Sequence, residues 1–252
     1  MNNQKLKFQP VTNNAKLAWM GEGGYTHSLL SGWTCPGTSE CLSKVIKVND
    51  KSTIVDGKNT LFRCFSASQE AAFPNVYKSR LYNFELLKGK SKDEMISLIK
   101  DSLPKNTRII RNHVAGDYFN ENYFLAWMEV AKLFPDIIIY SYTKSLRYWV
   151  KYIKDIPKNF ILTASRGGKD DGLIDKFNLK CAEVVFSEQE AIDKNLEIDH
   201  DDSHAFKSNK SFALLLHGVQ KQGTSAAEAL NNLKHKGIVG YSSKNKNRKI
   251  KI

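Results

Sequence analysis

Three cysteines in the first third of the chain are the residues with the clearest chemical potential. Cys35 and Cys41 are separated by five residues in a loop with glycine, serine and proline, and Cys64 follows after 22 intervening residues. Thiolates at such positions suit a four-iron cluster, which needs three or four of them, each bound to a different iron. Zinc is less well suited, because its usual signature is a closely spaced cysteine pair. The alternative for each cysteine is burial as a small apolar side chain.

The sequence leaves three possibilities for the fourth ligand position of such a cluster. Cys181 follows Cys64 after 116 residues and precedes an apolar run, so it suits either ligation or burial in a sheet. If Cys181 is structural, His217 is a candidate for the fourth position. The third possibility is an iron left open for a substrate.

Polar side chains follow five apolar runs, at the point where each run ends. Because the carboxyl ends of parallel strands meet at one edge of a sheet, we expect these side chains to form one rim. Lys144 and Arg166, directly beyond buried runs, suit a small anionic ligand such as a phosphate or a carboxylate. The alternative is that these polar residues only terminate strands and cap helices. The rim residues are His113, Asp117, Lys144, Arg166, Ser187 and His217.

The elements that must position this rim alternate as strand and helix. Strand-like runs begin near residues 108, 137, 160, 182 and 212, at intervals of 29, 23, 22 and 30 residues. This spacing predicts an α/β fold of parallel βα repeats, TIM-barrel-like and either complete or partial. A doubly wound sheet would give the same pattern. We expect one domain over 1–243, in which the cysteine-bearing segment 1–65 is irregular and contains no assignable strand.

Two local signals predict helices before the first βα repeat. Residues 66–88 have a helical pattern that Pro74 must start, kink or split. Ser91 and Glu94 form a capping box, which predicts a helix that begins immediately after Ser91.

The chain is strongly basic. Its 252 residues include 38 Lys and Arg against 26 Asp and Glu, a net charge of +12. Such a charge attracts polyanions, and we predict contact with nucleic acid through a flexible C-terminal tail, 244–252. The alternative is an ordinary basic protein that exposes lysines to water. The basic residues of the tail are Lys244, Lys246, Arg248, Lys249 and Lys251.

The sequence gives no sign of a membrane or an export signal. No stretch approaches the ~18 consecutive apolar residues of a membrane span, and the N-terminus lacks the apolar core of a signal peptide. We therefore expect a cytoplasmic protein with no membrane partner, whose thiols stay reduced.

Several ordered motifs resemble those of the phage "gene product eighty-eight" proteins, over residues from about 30 to about 235. The resemblance implies a viral origin and a host-cell cytoplasm. The cysteine-rich start before βα repeats is also similar to radical S-adenosylmethionine barrels, in which three cysteines hold a four-iron cluster. Here the third cysteine lies 22 residues beyond the second, unlike the C-x3-C-x2-C loop of that superfamily. The motifs are Thr34-Cys35-Pro36-Gly37 with Cys41, Arg63-Cys64-Phe65, His113-Val114-Ala115-Gly116-Asp117-Tyr118-Phe119, Tyr140-Ser141-Tyr142-Thr143-Lys144-Ser145 and His217-Gly218-Val219-Gln220.

These observations favour an iron–sulfur protein that serves electron transfer with a redox partner, sensing, or a nucleic-acid transaction. One alternative is an enzyme that uses the cluster with S-adenosylmethionine. Another is a nucleic-acid-binding module without a cluster. A fourth is a metal-dependent hydrolase built from rim residues and the acidic segment 199–204, which is equally readable as a solvated loop. Its candidate residues are His113, Asp117, His200, Asp201 and His204.

Overall fold

The computed structural model describes residues 4–14, 16–49 and 51–238. The strands within those ranges are β1 (Gln9–Pro10), β2 (Gly24–His27), β3 (Ser43–Val48), β4 (Lys51–Asp56), β5 (Ile109–Asn112), β6 (Ile138–Thr143), β7 (Phe160–Ser165), β8 (Cys181–Val185), β9 (Glu197–Ile198) and β10 (Phe212–Leu215). The α-helices are α1 (Phe65–Ala72), α2 (Pro74–Leu87), α3 (Lys92–Ser102), α4 (Glu121–Leu133), α5 (Leu146–Lys151), α6 (Gly172–Lys176), α7 (Glu188–Asp193), α8 (Ser203–Lys207) and α9 (Ser225–His235). Short 3-10 turns occupy Val11–Asn13 and Ala18–Met20.

Eight strands form one mostly parallel sheet in the order β1-β2-β5-β6-β7-β8-β10-β9. Only β1 runs antiparallel to its neighbour, while β2 and β5 through β10 are parallel. The predicted α/β fold of parallel βα repeats is therefore confirmed. A closed barrel is not shown, because no ladder joins β1 to β9 within the described ranges. Each of these edge strands is two residues long, so neither offers a length of backbone that could close the sheet.

The described residues of segment 1–65 contain four strands, which corrects the expectation of an irregular start without assignable strands. They supply β1 and β2 to the main sheet, and β3 and β4 form a separate antiparallel hairpin. The pairing of β2 explains why sequence reasoning missed it. Gly24 pairs with Ile109, so the strand depends on a partner more than eighty residues away rather than on its own apolar pattern.

The two helix signals are confirmed. Pro74 divides the stretch after Cys64 into α1 and α2 by occupying the first position of the second helix, where its missing N–H costs nothing. Ser91 caps α3 reciprocally with Glu94, as the capping box predicts.

The two faces of the sheet bury different layers. On one face, Ile110 and Ile139 pack in a large core with Trp127 of α4 and Met95 of α3. On the other face, one residue from each of four strands packs around the turn that contains Leu17 and Met20. Those four are Ile109, Tyr140, Ala182 and Phe212. An apolar plug, the turn that contains Leu17 and Met20, therefore covers this face of the sheet.

Among the described residues, no helix is both long enough and apolar enough to cross a membrane.

Candidate functional site

A cavity of about 800 Å³ opens at the carboxyl ends of the parallel strands. Part of the cavity wall is formed by strand residues that lie two positions after those that pack on the apolar plug. Alternate residues of a strand point to the same face of the sheet. Thus Arg111 follows Ile109 and Tyr142 follows Tyr140 on the inner face. Val184 and Leu214 continue this wall on β8 and β10. The plug forms the floor, and the loops after the strands form the rim.

Cys35, Cys41 and Cys64 all line this cavity. The three thiols come from two segments, the loop before β3 and the start of α1. They lie close enough to influence one another electrostatically, because the pKa of Cys35 responds to both Cys64 and Cys41. The structure therefore brings together the three cysteines that the sequence singled out.

The loop that contains Cys35 and Cys41 is clamped by loops that follow two strands. The backbone amides of Ser39 and Glu40 donate to the carbonyl oxygen of Gly167, beyond β7. On the other side, a Cβ atom added at Gly37 would lie 2.1 Å from the carbonyl oxygen of Lys144, beyond β6. Only glycine permits this approach, so the position of the cysteine loop depends on Gly37.

Cys64 occupies the N-cap position of α1. Burial raises the pKa of its thiol to about 11, while hydrogen bonds from the backbone amides of Ala67 and Ser66 oppose that rise. Burial also raises the pKa of Cys35 well above its usual value. The thiols of Cys35 and Cys64 therefore favour the protonated form, and a bound cation would reverse this penalty because a coordinating thiol is deprotonated.

In the described part of the chain, no group of three or more His, Cys, Asp or Glu residues is arranged to hold a single metal ion. This finding also bears on the acidic segment 199–204. There Asp199 accepts hydrogen bonds from the amide of Asp202 and from the amide and Nδ1 of His204. The segment thus stabilises its own loop and the start of α8.

Asp117 and Lys144 line the cavity but are largely occupied by structural contacts. The Asp117 carboxylate accepts from the Thr143 hydroxyl at 2.6 Å and from the Lys144 amide at 2.8 Å. Burial raises the pKa of Asp117 despite these hydrogen bonds. The Lys144 ammonium donates to the carbonyl and hydroxyl of Ser165 and to the carbonyl of Arg166. An ammonium has three N–H donors, so these contacts leave none for an anion.

His113 lines the cavity, but its contacts, like those of Arg166, are structural. His113 is buried, and its ring nitrogens lie 3.3 Å from the hydroxyl of Ser141 and 3.1 Å from that of Tyr123. Burial lowers its pKa well below the usual value, so the ring is neutral. Arg166 does not line the cavity and instead pairs with Asp175 at 2.9 Å.

The two protein candidates for a fourth cluster ligand have different positions. His217 lines the cavity, and its ring packs 4.6 Å, centroid to centroid, from that of Phe65, the neighbour of Cys64. Burial lowers the pKa of His217 to about 4. Cys181 lies outside the cavity, where it is buried in the core on the opposite face of the sheet. Ser187, the remaining rim residue, caps α7 by accepting from the amide of Glu190.

Sequence reasoning missed two cations of the cavity wall, Arg111 and Lys16. Both form ion pairs with the buried carboxylate of Asp202, with Arg111 Nη1 2.9 Å from Asp202 Oδ2. The available signal was an arginine directly after Ile109-Ile110, since a charged residue in a buried strand needs a partner.

The basic tail residues Lys244, Lys246, Arg248, Lys249 and Lys251 lie outside the described residues. Their predicted contact with nucleic acid therefore stays a prediction.

Comparison with known proteins gives one match. The family model described as Gene product 88 matches residues 1–235, which includes the cysteine loop, α1 and every strand of the sheet. No curated protein matches the chain, and no solved structure does.

Proposed function

The chain belongs to the Gene product 88 family, and we propose that it is a phage-type iron–sulfur protein whose cluster is bound by Cys35, Cys41 and Cys64. The single observation that carries the proposal is the convergence of these three thiols on one cavity, although they come from segments separated by the β3–β4 hairpin.

The donor set fits a multi-iron cluster better than a single ion. Ligands of one zinc ion must converge on one point in a tetrahedral arrangement, and no such group is formed here among the described residues. Ligands of a cluster bind different irons and can lie further apart. A cavity of about 800 Å³ lies within the size range of ligand and cofactor sites.

The surrounding residues would stabilise the added charge. The amides of Ala67 and Ser66 at the start of α1 point at Cys64, and hydrogen bonds to cluster sulfurs tune the reduction potential. The bound group would supply one-electron chemistry. The chain would contribute the cavity that limits access of water to it.

The proposal is tested by anaerobic purification followed by an absorption spectrum and by iron and acid-labile sulfide analysis. We expect a broad band near ~400 nm and about four irons per chain. The variants Cys35→Ala, Cys41→Ala and Cys64→Ala should each lose most of the iron.

Cys181→Ala is the matched control, because that thiol is buried on the opposite face of the sheet. It should keep its iron as long as it folds, which circular dichroism establishes independently. Full iron in a Cys35→Ala, Cys41→Ala double variant, or no iron in the reconstituted wild type, would overturn the proposal.

A second candidate function is reductive cleavage of S-adenosylmethionine. The observation that favours it is that the described cavity wall contains three cysteines and not four, which suits a cluster with one iron open to a ligand. We expect 5′-deoxyadenosine to form when the reduced protein is mixed with S-adenosylmethionine. The absence of both this product and any change in the spectrum of the reduced cluster would exclude this activity and leave the cluster proposal intact.

A further inference from the structure

We infer that the cavity binds a small molecule through a carboxylate or phosphate group, and that Arg111 and Lys16 hold this group. The inference goes beyond the proposed function and does not depend on a cluster. It rests on the charge of the cavity wall, on the saturation of Asp202 and on the position of Arg111 inside the sheet.

The cavity wall is unbalanced in charge. Among the described residues that line it, one carboxylate, Asp117, faces four cations. Asp117 and the cation Lys144 are connected through backbone and side-chain hydrogen bonds near the end of β6. Lys234 lies on α9 and is exposed. The four cations are Lys16, Arg111, Lys144 and Lys234.

Asp202 contacts both of the cations Lys16 and Arg111. Its carboxylate pairs with Lys16 and with Arg111. It also accepts hydrogen bonds from the hydroxyls of Tyr142 at 3.1 Å and Tyr140 at 3.3 Å. A carboxylate offers about four acceptor sites, so Asp202 is saturated. Asp202 therefore has no acceptor site left for the remaining N–H donors of Arg111.

Asp199 is a second carboxylate near these cations, and its charge favours the protonated forms of Lys16 and Arg111. Asp199 accepts from His204, and hydrogen bonding to Asp199 and Glu197 raises the pKa of that histidine against the opposing effect of burial. His217, which also faces the cluster of charges, has its pKa lowered to about 4 by burial and is neutral. Burial and the charge of Arg111 lower the pKa of Lys16 to about 8, although Asp202 opposes them.

The guanidinium of Arg111 is incompletely satisfied. Its Nε atom is buried and has no hydrogen-bond partner among the described residues, and buried donors of this kind are rare in native proteins. Its side chain lies beside the ring of Tyr142, with the guanidinium carbon 5.3 Å from the ring centroid. A planar guanidinium held in this way suits a carboxylate or a phosphate better than an ammonium does.

The cation pair and the cysteines lie in the same cavity. The charges of Lys16 and Arg111 add to the lowering of the pKa of His217, and the His217 ring packs on Phe65, next to Cys64. His217 therefore lies between the cation pair and the cysteines. A ligand held by its acid group at Arg111 would therefore direct its other end toward the thiols.

The test is calorimetric titration of the full chain at low ionic strength with inorganic phosphate, pyrophosphate and succinate as separate probes. Phosphate and pyrophosphate represent phosphate esters, and succinate represents carboxylic acids, so the three titrations distinguish the two sources. We expect saturable binding of at least one probe, and Arg111→Gln should weaken it by at least about tenfold, because it removes one member of a buried charge pair.

Asp202→Asn gives a prediction of the opposite sign. It removes the competing carboxylate and leaves both cations for the ligand, so the same probe should bind more tightly. Asparagine also tolerates the left-handed backbone of residue 202, where φ is +65°. A merely structural role for both residues would weaken binding in both variants.

Arg147→Gln is the matched control, since Arg147 is an exposed arginine that pairs with Asp170 outside the cavity. It should bind the probe as the wild type does. Equal binding by wild type and Arg111→Gln, weaker binding by Asp202→Asn, or no saturable binding of any probe would overturn the inference. Iron content measured on the same samples reports separately on the cluster proposal.

Discussion

The ring of Phe65 packs against the imidazole of His217, with centroids 4.6 Å apart and an interplanar angle of 46°. Phe65 is the first residue of α1 and directly follows Cys64. His217 belongs to the loop after β10, the strand near the far edge of the sheet. The contact therefore joins a cysteine of the N-terminal segment to the last βα repeat, and it fixes one side of the cavity.

Gly218 should be sensitive to substitution because of this contact. A Cβ atom there would lie 2.9 Å from Phe65 Cδ2, whereas a Cβ atom at Gly223 would meet nothing within 4 Å. Both glycines have positive φ, +86° and +76°, so alanine costs backbone strain at either position. We expect Gly218→Ala to lower the free energy of unfolding by about 1–3 kcal/mol more than Gly223→Ala, as overpacking does. Urea denaturation measures the difference, and equal losses would contradict the packing argument.

Gly37 should be required for the position of the loop that contains Cys35 and Cys41. Its added Cβ atom would lie 2.1 Å from the Lys144 carbonyl oxygen, while the space beside Gly172 is open. Neither glycine has the left-handed φ that would add strain. Gly37→Ala should therefore lower both stability and iron content, whereas Gly172→Ala should leave iron content unchanged. Metal analysis of the two purified variants tests this, and full iron loading of Gly37→Ala would count against the clamped loop.

The buried ion pair between Glu70 and Arg80 should stabilise the chain segment that leads from Ser31 to Cys35. Glu70 Oε1 lies 2.9 Å from Arg80 Nη1 and also accepts from the amide of Ser31. Removing one partner of a buried pair leaves an uncompensated charge, so Glu70→Gln should cost about 3–5 kcal/mol of unfolding free energy. The exposed pair Glu129–Lys132 provides the control, because Glu129→Gln should cost about 0–1 kcal/mol.

A double variant distinguishes charge from shape at the same pair. If Arg80→Met is combined with Glu70→Gln, no unpaired charge remains, so the double variant should be more stable than additive losses predict. Strict additivity in denaturant unfolding would contradict the coupling.

Stability should fall in mild acid because His27 is buried and neutral. Burial lowers its pKa to about 4, although a hydrogen bond with Asn112 opposes the shift. Between pH 6.5 and 4 the unfolded chain therefore binds a proton that the folded chain does not, so stability falls as the pH falls, by up to about 1.4 kcal/mol per pH unit. Unfolding free energies measured across this range should show a shallower pH slope in His27→Gln. His235→Gln, at an exposed position on α9, is the control, and an unchanged slope in His27→Gln would refute the assignment.

The tail 244–252 should set the salt dependence of nucleic-acid binding, if its five basic residues make the predicted contacts. Each neutralised phosphate contributes a slope of roughly 0.7–0.9 in the logarithmic salt plot. Deletion of the tail should therefore lower the slope for a single-stranded oligonucleotide by several units, as measured by fluorescence anisotropy. Replacing the five basic residues by glutamine separates charge from length, and an unchanged slope would remove the tail from the binding surface.

Local sequence signals were sufficient for much of the secondary structure. The capping box at Ser91 and the break at Pro74 depend on residues within one or two turns of each other, and each apolar run is recognisable from its own few residues. Such patterns carry their own physical cause, because caps and fixed φ angles act on neighbouring backbone groups. They also indicated that polar residues follow each strand, and the cysteines were recognisable by type and spacing alone.

Tertiary structure decided which of those residues share a site. Lys144 and Arg166 have the same sequence context, yet the first turns its ammonium to Ser165 and the second pairs with Asp175. Likewise Cys181 lies on the opposite face from the other three cysteines because of its register position in β8. Lys16 and Arg111 both pair with Asp202, a partner far away in the chain. These outcomes depend on long-range packing and desolvation, which no local pattern encodes, so the charge and the ligands of the cavity became visible only in the folded chain.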